Sequence, residues 1–241
     1  MSKCFEDNIE CTELLLHIVM ENEGIKVQRV RTKYQIKNLQ GRSVRLDIWA
    51  TDSKGRKINI EIQREDKGAG AKRARYHSSV MDANITSPGE DYEELAEVYV
   101  IFITENDIIG EGIPLYHIER TIQETGGCFG DGSHIIYVNG QYRDDSPLGI
   151  LMKDFACTEP DDMHYKVLAD RARYFKKNKE GVASMCKMLE EMRNEAAAEA
   201  TENERLSSVR KLMEKLKLTA EEAMDMLEIS KQEQKRYLKR L

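Results

Sequence analysis

Two short segments alternate apolar and polar residues so strictly that they leave little choice of local fold. In Lys57-Ile58-Asn59-Ile60-Glu61-Ile62-Gln63 the three isoleucines share one face, and Asn59, Glu61 and Gln63 share the other. Residues 43–50 repeat the pattern, with Val44, Leu46 and Ile48 against Arg45, Asp47 and Trp49. The link at 51–56 is short, polar and contains Gly55, so the spacing predicts an antiparallel hairpin. With the loop centred near residues 53 and 54, Asp47 falls opposite Ile60 or Glu61, and such neighbours lie about 5 Å apart at Cβ. Two carboxylates then stand together on one polar face. Like charges that close are unfavourable unless a cation lies between them. The same alternation is also what an ordinary solvated hairpin face displays.

The remaining elements can be read around this hairpin. Residues 5–20 have helical periodicity, with Ile9, Leu14, Leu15, Ile18 and Val19 on one stripe and Gly24 beyond it. Val27–Ile36 reads as a further strand and residues 67–83 as a basic helix. The run EVYVIFIT at 97–104 is nearly continuous in apolar residues, as in a strand covered on both faces. More strands are expected at 115–123 and 134–139. From about Leu148 helix formers dominate, and the Glu- and Ala-rich stretch 190–204 reads as a solvated helix or a linker. Thr219-Ala220-Glu221-Glu222 and Ser230-Lys231-Gln232-Glu233 are capping-box signatures that open two short helices. This final hairpin is either a packing or dimerising appendage or a helix-turn-helix that reads DNA. The expected class is α/β (α+β), a mixed β-sheet core flanked by helices, with a C-terminal helical extension. The expected divisions are a core at 1–147, a helical and charged region at 148–205, and a helical hairpin at 206–241.

Charge bears on the partner only once it is divided by region. The 241 residues carry a net charge of −6, which argues against nucleic acid if spread evenly. Residues 24–77, however, hold 15 Lys and Arg against 5 Asp and Glu, a local net of +10 that leaves −16 for the rest. The longest apolar runs, such as Val98 to Ile103, fall far short of the about 20 residues a bilayer requires, so no membrane association is expected. The acidic opening lacks the apolar stretch of a secretory signal. Five cysteines without a CxxC pair suggest neither a disulfide framework nor structural zinc, and a reduced, cytoplasmic protein is expected.

Carboxylates set in a basic surface suit a hard divalent cation, which binds through one or two carboxylates together with waters and substrate phosphates. Hydrolysis of a phosphodiester needs that arrangement, since positive side chains hold the backbone while the metal activates water. The stretch RSVRLDIWATDSKGRKINIEIQR, followed by KRARYHSSVMD and EVYVIFIT, resembles the PD-(D/E)XK nuclease superfamily. It is similar in particular to the branch of transposase-like, recombination-promoting (Rpn) nucleases. The likeness covers roughly residues 8–145 and has a restriction-endonuclease-like core.

Carried over by this resemblance, Asp47 is the metal-binding aspartate, Glu61 the second ligand, and the Ile62 carbonyl a third. Gln63 stands where many members have lysine; glutamine can hydrogen-bond and position water but carries no charge. The family's first helix often supplies another acid, for which Glu13 is the candidate and Glu10 the alternative; either can equally be a solvated charge on an amphipathic helix. Lys72, Arg73, Arg75 and Tyr76, on the helix after the Glu-x-Gln strand, are expected to face DNA, though Arg75 and Tyr76 could instead brace the helix. His77 beside them could shuttle a proton, and a lone histidine is often structural. The resemblance implies a deoxyribonuclease that uses Mg²⁺, with Mn²⁺ able to substitute, and that acts in transposition or recombination. The alternative is a degenerate nuclease fold that binds DNA or protein. A homodimer is left open by the sequence. No glycine-rich phosphate loop or nucleophile elbow supports a small-molecule enzyme.

Overall fold

The apolar run at 97–104 becomes β4 (Val98–Thr104), an inner strand of a six-stranded sheet in a computed structural model that describes residues 2–38, 42–63, 68–238 and 241. Around it lie β1 (Val27–Ile36), β2 (Val44–Asp52), β3 (Lys57–Gln63), β5 (Leu115–Ile118) and β6 (Ser133–Asn139), in the order β1-β2-β3-β4-β6-β5. β1, β2 and β3 pair antiparallel, β3-β4-β6 pair parallel, and β5 returns antiparallel on β6. A parallel β3–β4 pair needs a crossover, and α2 (Ala71–Ile85) supplies it. The expected start of this helix at Lys67 lies outside the described residues.

The hairpin loop is fixed by Asp52, which is buried and accepts from the amides of Lys54 and Arg56 and from Arg56 Nε at 3.0, 2.9 and 2.6 Å. Gly55 takes φ +82°, a left-handed turn conformation that costs glycine little. The strand expected at 115–123 stops at Ile118, because beyond it only an isolated bridge, Thr121 with Cys128, continues the pairing.

Helices cover both faces of the sheet. α2 packs Ala74, Val80 and Met81 against Trp49, Val100 and Phe102. On the opposite face lie α1 (Ile9–Val19) and α3 (Pro147–Ala156), which pack together; Met152 and Phe155 of α3 come beside Ile62 and Ile103. α1 buries Cys11, Thr12, Leu15, Leu16 and Val19, a stripe turned slightly from the expected one and leaving Ile9 exposed. Its N-cap is Asn8, whose Oδ1 accepts from the Cys11 amide at 2.8 Å. Buried Asp154 of α3 holds the amides of His164 and Tyr165, both at 2.8 Å, and so fixes the approach to α4 (Lys166–Lys177).

The chain divides into two compact units, residues 1–176 and 177–241. The break expected at 147 does not occur, because Leu148, Leu151 and Met152 are buried parts of the first unit. The second unit contains α5 (Lys179–Leu216), a helix of 38 residues that continues through the supposed linker and the supposed break at 205. Alanine and glutamate are strong helix formers, which explains the continuity. Its later turns supply Leu206 and Val209, against which α6 (Ala220–Met226) and α7 (Lys231–Tyr237) bury Ala223, Met224, Ile229 and Tyr237. The first expected capping box forms reciprocally between Thr219 and Glu222; at the second, Ser230 accepts from the Glu233 amide while the Glu233 carboxylate takes the Ser230 hydroxyl. Among the described residues, no helix is long and apolar enough to cross a membrane.

Candidate active site

The β2–β3 ladder runs from Thr51 opposite Lys57 to Ile48 opposite Ile60. One step further, Asp47 comes beside Glu61, which settles the two registers the sequence allowed. Side chains take over from the backbone where the ladder stops. The Asp47 amide donates to Glu61 Oε1 at 3.3 Å, and the Ile62 amide donates to Asp47 Oδ2 at 3.2 Å. Glu61 is fully buried, and burial first, then the Asp47 charge, pushes its carboxyl up to about 7 against the opposing pull of Arg73. Burial also raises Asp47, partly offset by the Ile62 amide and by Arg73 and Arg45.

α2 brings a cation to this pair. Arg73 Nη2 donates to Glu61 Oε2 at 3.1 Å, Nη1 to the Gly68 carbonyl at 2.9 Å, and Nε to His77 Nε2 at 3.3 Å. Gln63 Nε2 donates to the same Glu61 Oε2 at 3.3 Å. His77 is buried, and burial together with Arg73 and Arg42 lowers its pKa to about 4, so it is neutral at ordinary pH. Because an arginine N–H can only donate, Nε2 is the bare nitrogen and the ring proton sits on Nδ1. Nδ1 lies 3.1 Å from the side-chain nitrogen of Asn59 and 3.7 Å from Glu61 Oε1. Asn59 is fully buried; its side-chain amide also donates to Glu61, and its Oδ1 has no partner among the described residues. At Gly68, a Cβ would lie 2.5 Å from Gln63 Oε1 and 3.0 Å from Arg73 Nη1, so the missing side chain lets these two groups converge.

The other expected site residues are dispersed. Ile62, next to last in β3, is half-buried, its amide committed to Asp47. Lys72 and Arg75 are exposed on α2. Tyr76 is half-buried; its hydroxyl donates to the Arg42 carbonyl and accepts from Asn38 Nδ2 at 3.4 Å, so it ties α2 to the β1–β2 connection. Glu13 is not brought to the pair. Its carboxylate accepts the Val27 amide at 2.7 Å, at the end of the sheet where Val27 stands opposite Asp52. At about 3.4 Å per residue, Asp52 is about 17 Å along β2 from Asp47. Glu10 is exposed in the first turn of α1. Sequence reasoning placed Arg73 on the substrate and overlooked its ion pair with Glu61. The four-residue spacing of Arg73 and His77 on one helix face was the available signal.

Asp47 and Glu61 offer oxygen donors only. Among the described residues, no group of three or more His, Cys, Asp or Glu side chains gathers that could hold a metal ion. A buried and a half-buried carboxylate, both shifted towards neutrality, fit a hard cation that retains several waters and do not fit the nitrogen and sulfur set of zinc. Beside Gln63 a cleft of about 380 Å³ opens at the ends of β3 and β4, lined also by Thr104, Glu105 and Arg143. Ligands of α/β sheets commonly occupy this position, at the carboxyl ends of parallel strands.

Residues 6–140, more than half of the chain and the whole of this sheet, match the sequence pattern of a family described as PD-(D/E)XK nuclease family transposase. No curated protein and no solved structure matches the chain.

Proposed function

The chain belongs to the PD-(D/E)XK nuclease family of transposases, and from that membership we propose that it is a metal-dependent endonuclease cleaving DNA in transposition or recombination. The observation that carries this reading is the meeting of Asp47 with Glu61 where the ladder ends, with Gln63 two residues further along. Asp47, Glu61 and the Ile62 carbonyl are the groups that would hold Mg²⁺ or Mn²⁺. When bound, such an ion supplies an activated water and stabilises charge developing on phosphorus. Gln63 orients that water through its amide. Lys72 and Arg75, exposed on α2, hold phosphates, and the Tyr76 ring lines the approach while its hydroxyl keeps the β1–β2 connection in place.

The test is nicking of supercoiled plasmid with Mg²⁺. Asp47→Ala and Glu61→Ala should abolish nicking while the circular dichroism spectrum is retained. Wild-type protein that leaves plasmid intact with both Mg²⁺ and Mn²⁺ would overturn the reading.

One observation favours a second reading. Glu61 already has Arg73 and Gln63 as partners, as a degenerate site used only to bind DNA or protein would have. Salt-dependent DNA binding unchanged by Asp47→Ala, with no heat of Mg²⁺ binding, would establish that alternative.

A further inference from the structure

Two donors converge on one oxygen of Glu61, and only one of them is charged. Gln63 Nε2 and Arg73 Nη2 lie 3.3 and 3.1 Å from Glu61 Oε2. The family motif names a lysine where this strand has Gln63, so the strand itself brings no cation. We infer that Arg73 is the catalytic cation of this site, contributed by the helix instead of the strand, and that His77 and Asn59 are positioning residues that aim it. This rests on the nuclease reading above and goes beyond it, since that reading assigns no side chain to the place of the motif's lysine cation.

The geometry supports the assignment in three ways. First, the Arg73 side chain is 41% exposed while the Glu61 side chain is 0% exposed, so the guanidinium lies at the mouth of the site and spans from the buried carboxylate to solvent. Second, a guanidinium has five N–H donors in a planar fork. Three of them meet Glu61, Gly68 and His77. Among the described residues, the other hydrogens on Nη1 and Nη2 are left for a phosphate oxygen. Third, the support is dedicated. His77 and Asn59 are buried polar residues that could be replaced by apolar ones at no loss to the core, since buried polar groups cost stability unless fully paired. Here they hold the inner edge of the guanidinium, and Gly68 leaves room for its outer arm. A residue that merely gripped DNA would need none of this.

Two simpler roles make different predictions. An arginine that only neutralises Glu61 would affect folding, and one that only grips DNA would affect affinity. The deciding experiment is plasmid-nicking kinetics with Mg²⁺, alongside calorimetric Mg²⁺ affinity and DNA affinity in metal-free buffer. Arg73→Ala should lower kcat about 10²- to 10³-fold, as loss of a charge-stabilising donor does, with KM and metal-free DNA affinity within about threefold. The double variant Arg73→Ala with Gln63→Lys should recover at least about tenfold of kcat, because the charge returns from the strand position. Arg73→Ala should also bind Mg²⁺ severalfold more tightly, since a cation beside Glu61 has gone. His77→Phe should lower kcat about tenfold and add nothing to Arg73→Ala, as expected of residues acting through one group.

A loss confined to KM and DNA affinity, or a failure of Gln63→Lys to rescue a folded Arg73→Ala protein, would overturn the assignment while leaving the nuclease reading intact. A wild-type protein that does not nick overturns both.

Discussion

Asp47 and Glu61 hold each other's strand in register through side chains: the Asp47 amide is bound by Glu61 Oε1 at 3.3 Å, and the Asp47 carboxylate in turn binds the amide next to Glu61 at 3.2 Å. The two acids thus complete a β-ladder that backbone groups leave unfinished. A pair built this way is a structural element before it is a chemical one, and its charge state feeds directly into stability.

Glu61 is pushed up from 4.5 to about 7, so the folded chain keeps a proton there through a range in which the unfolded chain has lost it. Its contribution to stability is therefore lost as pH rises from about 4.5 to 7. His77, lowered from 6.5 to about 4, works in the opposite sense: its contribution is present above pH 6.5 and lost as pH falls towards 4. The two effects offset each other between about 4.5 and 6.5. Glu61→Gln should remove one side of this balance, raising metal-free stability above pH 7 by on the order of 3 kcal/mol and leaving a steady decline below pH 6.5. Urea denaturation from pH 4.5 to 8 measures it, and coincident profiles for the two proteins would refute the prediction.

Magnesium should stabilise the wild-type protein at pH 8. At a hundred times its dissociation constant, a ligand specific to the folded state contributes about 2.7 kcal/mol, which differential scanning calorimetry resolves as a higher Tm. Asp47→Ala should abolish the increment. A shift of equal size in that variant would place the ion elsewhere.

Gly68→Ala isolates the convergence of Gln63 and Arg73. The added Cβ would meet the ends of two side chains, 2.5 Å from Gln63 Oε1 and 3.0 Å from Arg73 Nη1, and not the backbone of the sheet. The fold should survive with the two groups displaced, and nicking should fall about 10- to 100-fold, the cost of a misplacement near 1 Å. Unchanged kinetics in a protein of unchanged Tm is the outcome against it.

In the second unit, Thr219→Ala removes a reciprocal cap in which Thr219 Oγ1 accepts from the Glu222 amide at 3.3 Å and the Glu222 carboxylate accepts from the Thr219 amide at 2.8 Å. The loss is worth about 1 kcal/mol. Hydrogen exchange should show faster opening of α6 amides, while the protection of β4, in the other unit, stays the same. Equal acceleration in both units would mean that they unfold together.

The hairpin and β4 were legible because strand alternation and a continuous apolar run are local signals that tertiary packing reinforces. The Asp47 register was legible to within one residue, the limit set by an unknown loop conformation. What escaped depends on contacts between elements. Glu13 has the right helix and the right chemistry, but periodicity does not report which end of the sheet a helix overlies, and the Val27 amide claims it. Arg73 was legible as a cation facing DNA, but not as the partner of Glu61, which is twelve residues back, across the gap between helix and sheet. The Glu- and Ala-rich segment left a solvated helix and a linker both open because its apolar content is low; high intrinsic propensity decides for the helix.

The tight turn closed by Asp52 gives the interval between Asp47 and Glu61 a meaning of its own. Because strand side chains change face with every residue, a single amino acid inserted into β2 or β3 between them would turn one carboxylate into the apolar layer, whereas an insertion of two would preserve its facing. The fourteen-residue separation therefore acts like a reading frame: its parity decides which face each acid takes, and its exact length decides whether the two stand opposite each other.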